Sequence, residues 1–225
     1  MAKFISSIGQ ITGKLGDVVF RTRGNKTYIA KAPGPRKPTK DPVVKQRRKK
    51  FAWVGKFTSA ANSLPLIKAL WQPLYPRTLS TFQKIFKMVY KNFQTLDNPG
   101  PILFTPECGF SLENSSIVFG KSSLFVEADP LGVTLGINPK EEISIVAVGV
   151  LALSNPPDNS LPEQMFIPVK SAKIPTQLNN QSVFIIQLPS PELFAYSQYR
   201  TKKAWLTLIT LDASGNPVRH SVVIS

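Results

Sequence analysis

The hydrophobic and polar positions at the start of the chain predict two β-strands joined by a tight turn. Residues 17–22 and 27–32 are typical of strands, and residues 23–26 lie between them. This turn contains Gly24-Asn25, a dipeptide that tight hairpins favour because both residues tolerate a positive φ. We therefore expect a β-hairpin near the N-terminus.

Glycines and prolines on either side of this hairpin predict an extended arm. Gly9, Gly13 and Gly16 recur in a stretch that is too polar for a packed helix. We expect them to mark bends that let the backbone approach another chain closely. Residues 33–42 contain four prolines, which exclude a helix and a central strand, so this segment is predicted to be a stiff, cationic linker.

Two later stretches carry apolar residues at three- and four-residue spacing, which predicts amphipathic helices. The first helix has Asp41 as its expected N-cap and Pro42 at its first position. The second is expected over about residues 79–94, after a broken, proline-containing stretch at 64–77 that Trp71 anchors. The apolar stripes, which we expect to be buried, comprise Val44, Phe51, Val54, Phe57, Ala61 and Leu64, and then Phe82, Ile85, Phe86, Val89, Tyr90 and Phe93. Lys84, Lys87 and Lys91 line another face of the second helix and are expected to stay outside.

From residue 102 onward, short apolar runs alternate with turn residues, a pattern that predicts an antiparallel β-sandwich. Residues 98–101 (Asn-Pro-Gly-Pro) precede this region and mark the expected domain boundary. Residues 212–216 have the composition of a hairpin loop between the last two strands. The expected strands cover residues 117–120, 123–128, 133–137, 143–153, 166–169, 183–188, 204–211 and 218–224.

The predicted fold class is α+β: an N-terminal β-hairpin and basic arm, two amphipathic helices, and then an antiparallel β-sandwich. We divide the chain into a basic hairpin arm with a proline-rich linker at residues 1–42, a helical segment at 43–98 and a β-sandwich domain at 102–225. With 225 residues, of which 42% are hydrophobic, the chain is long and apolar enough to bury a core.

Charge divides the chain at the same point. Residues 1–100 contain twenty Lys or Arg and three acids, whereas residues 101–225 contain eight basic and ten acidic residues. The two parts therefore carry net charges of +17 and −2. Such an imbalance attracts a nucleic acid, an anionic membrane or an acidic protein surface, and it does not select among them.

The cations concentrate along the hairpin, the linker and the front of the first helix, which we interpret as a binding surface for an anionic partner. Tyr28, Phe51 and Trp53 lie among them, as stacking residues would in a nucleic-acid groove, although core anchoring is the simpler interpretation of Phe51. No sequence-reading DNA or RNA motif is present, so phosphate contacts would dominate. The candidate anion-binding residues are Arg21, Arg23, Lys26, Lys31, Arg36, Lys37, Lys40, Lys45, Arg47, Arg48, Lys49 and Lys50.

The sequence offers few residues for catalysis or metal binding. Its one histidine, His220, lies in a predicted terminal strand, and we interpret it as a surface or edge residue. Its one cysteine, Cys108, excludes an internal disulfide and is expected to be buried as a small hydrophobic residue. Glu141 and Glu142 are adjacent, so an extended backbone would point their side chains in opposite directions. We therefore predict no enzymatic activity, no metal site and no cofactor.

Targeting signals are also missing from the sequence. The first nine residues lack the apolar core of a secretory signal peptide. No window approaches the roughly twenty apolar residues of a membrane span. We expect a protein that is cytoplasmic at synthesis, without a membrane span, and that either stays there or joins a virion or another assembled particle.

Several short motifs in the first 60 residues fit one pattern: Gly-x-x-Gly-x-Val-Val, an Arg-Gly turn, an aromatic residue, Pro-x-x-Pro-Thr, and Gln-x-x-Arg before an apolar helix. The fitting residues are Gly13, Gly16, Val18, Val19, Gly24, Tyr28, Pro35, Pro38, Thr39, Gln46 and Phe51. In these motifs the chain resembles a family of uncharacterised proteins encoded in bacterial genomes and prophage-like gene sets, although Asp41-Pro42 departs from the pattern. The resemblance implies a phage-like structural or assembly role and no particular activity.

Two functions of different classes remain open. The preferred one is a structural subunit of a virion, phage-like particle or filament, a homo-oligomer in which the basic arm lies across a neighbour or adds a strand to its sheet edge. The alternative is a sequence-nonspecific nucleic-acid-binding protein that contacts phosphates through residues 21–50. A third, an anionic-membrane binder, fits less well because neither helix pairs its basic face with an exposed aromatic one. The candidate assembly residues of the arm are Gly13, Gly16, Val18, Val19, Phe20, Tyr28 and Ile29.

Overall fold

The computed structural model describes the chain apart from residues 1, 5–12, 24–25, 35–40, 75–77, 97, 133–135 and 159. It divides into two units, Met1–Lys45 and Gln46–Ser225. The expected bend at Gly9, the turn at Gly24-Asn25 and most of the expected linker fall outside the described residues.

Four short strands form the first unit: β1 (Ala2–Phe4), β2 (Gly13–Leu15), β3 (Val18–Arg23) and β4 (Lys26–Lys31). They make one antiparallel sheet, which we call the arm sheet, in the order β1-β4-β3-β2. The predicted hairpin is confirmed as the pair β3–β4. Gly16 has a φ of +58°, in the left-handed region that glycine favours, and it turns the chain between β2 and β3.

Three helices follow: α1 (Pro42–Ser63), α2 (Pro65–Trp71) and α3 (Thr81–Asn92). At the start of α1, the N–H of Val43 donates to the Asp41 carboxylate at 2.8 Å, as the N-cap prediction requires. Ser80 and Gln83 cap α3 reciprocally, each side chain accepting from the backbone N–H of the other residue. The structure adds α2 within the stretch expected to be broken, because Pro65 stands at the first helical position, where proline fits a helix.

Two antiparallel sheets form the β-rich body of the second unit. The five-stranded sheet contains β7 (Ser144–Ser154), β8 (Gln164–Lys170), β9 (Ile174–Pro175), β11 (Thr201–Leu211) and β12 (Pro217–His220). The three-stranded sheet contains β5 (Ser115–Phe119), β6 (Ser123–Ala128) and β10 (Ser182–Gln187), in the order β10-β6-β5, and α4 (Ser190–Gln198) follows β10. The antiparallel, sheet-rich α+β class that the sequence predicts is therefore confirmed.

The five-stranded sheet is buried on both faces. On β7, Val146 and Val148 join a core cluster with α1–α3, whereas Ile145 and Ala147 pack in a second cluster with the three-stranded sheet. Burial on both faces explains why residues 143–153 read as a continuous apolar run. The helices and this sheet bury each other's apolar sides, so the boundary expected after the helices does not separate two cores.

Some segments differ from their expected form. Residues 136–137 of the strand expected at 133–137 are not in a strand, and the other three residues lie outside the described part. β12 ends at His220 and does not continue to residue 224 as expected. At the next residue, the Ser221 hydroxyl accepts a hydrogen bond from the backbone N–H of Leu208, so a side chain takes the place of a backbone acceptor in the ladder. The expected hairpin loop is confirmed by the Asn216 N–H, which donates to the Asp212 carboxylate at 2.8 Å.

Across the described residues, no helix has the length and apolar character needed to cross a membrane.

Candidate assembly and anion-binding surfaces

Strand register sorts the side chains of the arm sheet onto two faces. Residues directly opposite each other in an antiparallel pair lie on the same face. Phe20 pairs with Ile29, and Val18 pairs with both Leu15 and Lys31. The apolar arm face therefore carries Leu15, Val18, Phe20 and Ile29, together with Thr22, Thr27 and, at its end, Lys31. The cationic arm face, on the other side, carries Lys14, Val19, Arg21, Lys26 and Tyr28.

The described side chains of the arm sheet leave some apolar surface exposed. Leu15 is 74% exposed, and Val18, Phe20 and Ile29 are half-buried. Thr27, on the same face, is buried. A small sheet gains stability when other structure covers its apolar side. The apolar arm face therefore carries exposed apolar surface, most of all at Leu15.

The structure divides the predicted assembly residues between these faces. Val18, Phe20 and Ile29 lie on the apolar arm face, and Val19 and Tyr28 lie on the cationic arm face. Gly13, with a φ of +129°, begins the short β2 strand, and Gly16, with a φ of +58°, follows it. Leu15 is missing from the predicted set because one leucine between polar neighbours gives no periodic signal. Its membership follows only from the pairing of β2 with β3.

The predicted anion-binding residues of the arm are also divided. Arg21 and Lys26 are exposed on the cationic arm face, whereas the exposed Lys31 lies on the apolar arm face. Arg23 lies on β3, but its side chain is outside the described part of the chain. Arg36, Lys37 and Lys40 also fall outside the described residues.

The cations of α1 fan around the helix instead of forming one stripe. Lys45, Arg47, Arg48 and Lys49 are exposed, as expected when six consecutive positions cover more than one and a half helical turns. Lys50 turns inward: its Nζ donates to the Phe93 carbonyl at 2.9 Å and lies 4.6 Å from the centroid of the Tyr90 ring. Four of the five cations are therefore available to an anion, and Lys50 joins α1 to the end of α3.

The helical layer carries no carboxylate. Between Asp41 and Asp97 the sequence contains eleven Lys or Arg and no acid. One of these lysines is structural, because Lys84 is 8% exposed and its Nζ donates to the carbonyls of Trp71 and Leu74. The prediction that Lys84 faces outward with Lys87 and Lys91 is therefore wrong for Lys84.

An aromatic cluster borders these cations. Phe51 is 61% exposed, which overturns its place in the predicted buried stripe, and its ring centroid lies 5.0 Å from that of Phe86. Phe86 is in turn 6.0 Å from Phe82 and 5.7 Å from Tyr90, and we call these four rings the aromatic seam. Trp53 differs, because it is 4% exposed and packs in the core. Of the two aromatic residues on α1 that were candidates for stacking, only Phe51 is accessible.

The residues considered for chemistry hold structural positions or stand alone. His220 lies on the edge strand β12, but it is only 5% exposed, and this burial lowers its pKa below the ordinary value. Glu142, 2% exposed, forms an ion pair with Arg219 at 3.5 Å, whereas Glu141 is exposed. Cys108 is exposed in a turn, so the prediction that it is buried is wrong. No group of three potential metal ligands occurs among the residues that could be searched.

A cleft of about 520 Å³ lies at one end of the five-stranded sheet, beside the start of α1. Lys49, Glu163, Thr201 and Lys203 contribute polar groups to its lining. Asn155, also in the lining, has a positive φ of 58°, and its Nδ2 donates to the Thr201 hydroxyl at 2.8 Å. The described lining contains neither histidine nor cysteine.

No protein-family model matches the chain, and comparisons with curated proteins and with solved structures return no match. The resemblance of the N-terminal motifs to prophage-associated proteins therefore stays a prediction. The arm sheet, the cations of α1 and the aromatic seam are the surfaces from which a function can be argued.

Proposed function

We propose that the chain is a non-enzymatic assembly subunit of a virion, phage-like particle or filament, and that its arm sheet completes a hydrophobic core on a neighbouring subunit. The observation that carries this proposal is the exposed apolar surface of the apolar arm face, where Leu15 is 74% exposed and Val18 and Ile29 are only half-buried. The N-terminal motifs that resemble prophage-associated proteins agree with such a role, and the β-rich unit supplies the body of the subunit.

Burial of the exposed apolar side chains against a neighbour is energetically favourable. Full burial of one Val, Leu, Ile or Phe side chain is worth about 1.5–3 kcal/mol. Ordering each residue of a strand costs about 1–2 kcal/mol, and covering Leu15 helps to offset that cost. Contact with a second subunit supplies this burial, and it couples the order of the arm to assembly.

The proposal is tested with full-length, nuclease-treated protein by mass photometry and negative-stain microscopy at low and high salt. The variant Phe20→Asp places a carboxylate on the apolar arm face. The control Arg21→Ala changes the next residue, which lies on the opposite face. We expect the parent protein and the control to form regular particles or filaments and Phe20→Asp to remain monomeric with an unchanged circular dichroism spectrum. Assembly of Phe20→Asp at the parent concentration would contradict the proposal.

A second candidate function, binding of single-stranded nucleic acid, rests on a different observation. The sequence between Asp41 and Asp97 holds eleven cations without an acid, and the exposed Phe51 follows Arg47 and Arg48 by one helical turn. Cations that track a phosphate backbone beside an open aromatic ring are the usual elements of such a site. Binding to phosphates would release counterions, so the affinity would fall steeply with salt.

Fluorescence anisotropy with a labelled oligonucleotide tests this second candidate. Phe51→Ala should weaken binding by about 1–3 kcal/mol if a base stacks on the ring. Phe194→Ala is the matched control, since Phe194 is 66% exposed on helix α4, whose core residues belong to a different cluster from those of α1. Equal affinities of the two variants, or an affinity that does not change with salt, would exclude this function.

A further inference from the structure

Strand β5 forms an open edge of the three-stranded sheet. It pairs with β6 on one side and, among the described residues, with no strand on the other. All five of its residues are exposed or half-buried. Val118, on the outer face, is 49% exposed, and Phe119, on the face that turns towards the core, is 38% exposed. β5 therefore keeps apolar surface on both of its faces.

The backbone groups of β5 alternate in direction. In an antiparallel pair, every second residue exchanges hydrogen bonds with the partner strand, and the residues between them point their N–H and C=O groups away from it. The Gly120 N–H donates to the Ser123 carbonyl at 2.9 Å at one end of the β5–β6 pair. The Asp129 N–H donates to the Asn114 carbonyl at 3.1 Å at the other end. Even-numbered residues thus bond to β6. The outward residues are Ser115, Ile117 and Phe119, and no hydrogen bond to their backbone groups occurs in the described part of the chain.

β5 also lacks the features that prevent an edge strand from pairing with another chain. Proline and charged side chains, lysine above all, block such pairing. β5 contains neither, since its sequence is Ser-Ser-Ile-Val-Phe. The strands that end the other two sheets each contain a proline, a cation or both: Lys3 in β1, Lys14 in β2, Pro168 and Lys170 in β8, and Pro217 and Arg219 in β12.

The opposite edge of the same sheet, β10, has less to gain from a partner. It also lacks proline and charge, but its inward side chains are already covered, because Phe184 and Ile186 are at most 1% exposed. The inner side of β5 instead borders a cleft of about 330 Å³, which Ile117 and Phe119 line together with residues at the start of β11. A partner strand therefore buries more apolar surface at β5.

The residues that flank β5 carry opposite charges at equal distances from its centre. Glu113 lies four residues before Ile117, Lys121 lies four residues after it, and both are exposed. When two copies of β5 pair antiparallel with Ile117 opposite Ile117, the outward N–H and C=O groups of each copy meet those of the other. The same register brings Glu113 of each copy to Lys121 of the other, at both ends of the pair. A second copy of the chain thus complements β5 in backbone and in charge.

We propose that two copies of the chain pair through β5 about a two-fold axis at Ile117, which joins their three-stranded sheets into one six-stranded sheet. This inference rests on the proposed assembly function and names a contact between subunits that does not involve the arm. One five-residue strand from each copy makes a smaller interface than a stable dimer needs, so the pairing alone forms dimers only in concentrated protein. In an assembly that also engages the arm, the linked contacts strengthen each other.

Charge reversal tests the pairing by sedimentation equilibrium of full-length Phe20→Asp protein over a concentration series. Adding Glu113→Lys or Lys121→Glu places like charges at both ends of the pair, and each should raise the dimer dissociation constant by roughly tenfold. Both changes together restore opposite charges and should restore the dimer. Glu141→Lys, the control, makes the same change in net charge at an exposed position outside β5 and should have no effect. A double variant that does not recover, or a control that weakens the dimer as much, would overturn the pairing.

A second pair of variants tests the backbone hydrogen bonds. Ile117→Pro removes an outward N–H, a position at which an edge strand tolerates proline. Ile185→Pro is the control on β10, where the Leu188 N–H donates to the Ser122 carbonyl, so odd-numbered residues again point away from β6. Ile117→Pro removes two hydrogen bonds per dimer and should raise the dissociation constant by roughly thirtyfold, with Ile185→Pro unchanged. An equal or larger effect of Ile185→Pro would show that β10 takes part and that the two-fold pairing is wrong.

The concentration series also separates this pairing from the arm contact. Phe20→Asp protein that forms no particles but dimerises when concentrated supports both contacts. If it stays monomeric at every concentration, the β5 pairing is wrong and a different protein must cover this edge, while the arm contact stands. If the parent protein dimerises through β5 but forms no larger assembly, the proposed function fails and the pairing stands.

Discussion

Gly149 lies in the centre of the five-stranded sheet, on β7 opposite Leu206 of β11. A Cβ atom at this position would stand 2.0 Å from the Trp205 carbonyl oxygen and 2.8 Å from the Leu206 Cα, and neither backbone atom can move aside easily. We expect Gly149→Ala to lower the free energy of unfolding by about 3 kcal/mol, measured by urea denaturation.

Gly55 of α1 supplies the contrasting substitution. No atom lies within 4 Å of the position that its Cβ would occupy. Gly55→Ala should therefore raise the free energy of unfolding by about 0.5–1 kcal/mol, through the lower flexibility of the unfolded chain. Equal effects of the two substitutions would contradict the close β7–β11 contact.

His220 should make stability depend on pH. Burial lowers its pKa below the ordinary value of 6.5, so the unfolded chain takes up a proton near that pH while the folded chain resists it. Stability is then complete above about pH 6.5 and falls as the pH drops towards the lowered value. We expect the urea midpoint of His220→Gln to fall less between pH 7.5 and pH 5.5 than that of the parent. Equal decreases would show that carboxylates alone cause the dependence.

At the residue scale, the sequence did not predict correctly how exposed three of the side chains are. The position of Phe51 on a helical stripe indicates burial, yet 61% of the residue is exposed, and its ring packs against that of Phe86. Cys108 is exposed because its turn carries it out of the core. The burial of His220 depends on Gly109, whose missing side chain leaves room for the imidazole ring. Contacts between segments distant in sequence decide the exposure of Phe51 and His220, and no local pattern encodes them.

Helix α3 begins with a reciprocal cap formed by Ser80 and Gln83. The Gln83 N–H donates to the Ser80 hydroxyl at 3.2 Å, and the Ser80 N–H donates to the Gln83 side chain at 2.9 Å. Ser80→Ala should lower the free energy of unfolding by about 1 kcal/mol, measured by chemical denaturation. Ser59→Ala, at an exposed position inside α1, is the control, and we expect it to change stability by no more than about 0.5 kcal/mol. If Ser80→Ala lowers the free energy of unfolding no more than Ser59→Ala does, the cap contributes little to stability.

At the element scale, long periodic segments were predictable and short ones were not. The strand expected at residues 123–128 has those bounds in the structure, and the run at 143–153 is β7 within one residue. In α4 only Tyr196 is buried, so the segment has no apolar stripe to reveal a helix. The two-faced character of the arm sheet also escaped prediction, because it depends on pairing among strands of three to six residues.

At the scale of the whole molecule, charge and apolar surface are distributed unequally. The cationic helical layer and the three-stranded sheet lie on opposite sides of the five-stranded sheet. If the chain assembles as proposed, its copies would present two different sides to their neighbours. The sequence indicated the unequal charge and the arm, but the exposed apolar row of the three-stranded sheet appears only when Val118, Phe125 and Ile185 are aligned by strand pairing.

The central claim is that the arm sheet becomes ordered on a neighbouring subunit. Hydrogen exchange of the full-length protein across a dilution series, followed by mass spectrometry, tests it most directly, because assembly depends on concentration whereas folding within one chain does not. We expect amides of residues 13–31 to be protected in the assembled protein and to exchange rapidly after dilution to monomers, while amides of β7 and β11 stay protected throughout. Equal protection of residues 13–31 in monomers and in assemblies would contradict the account.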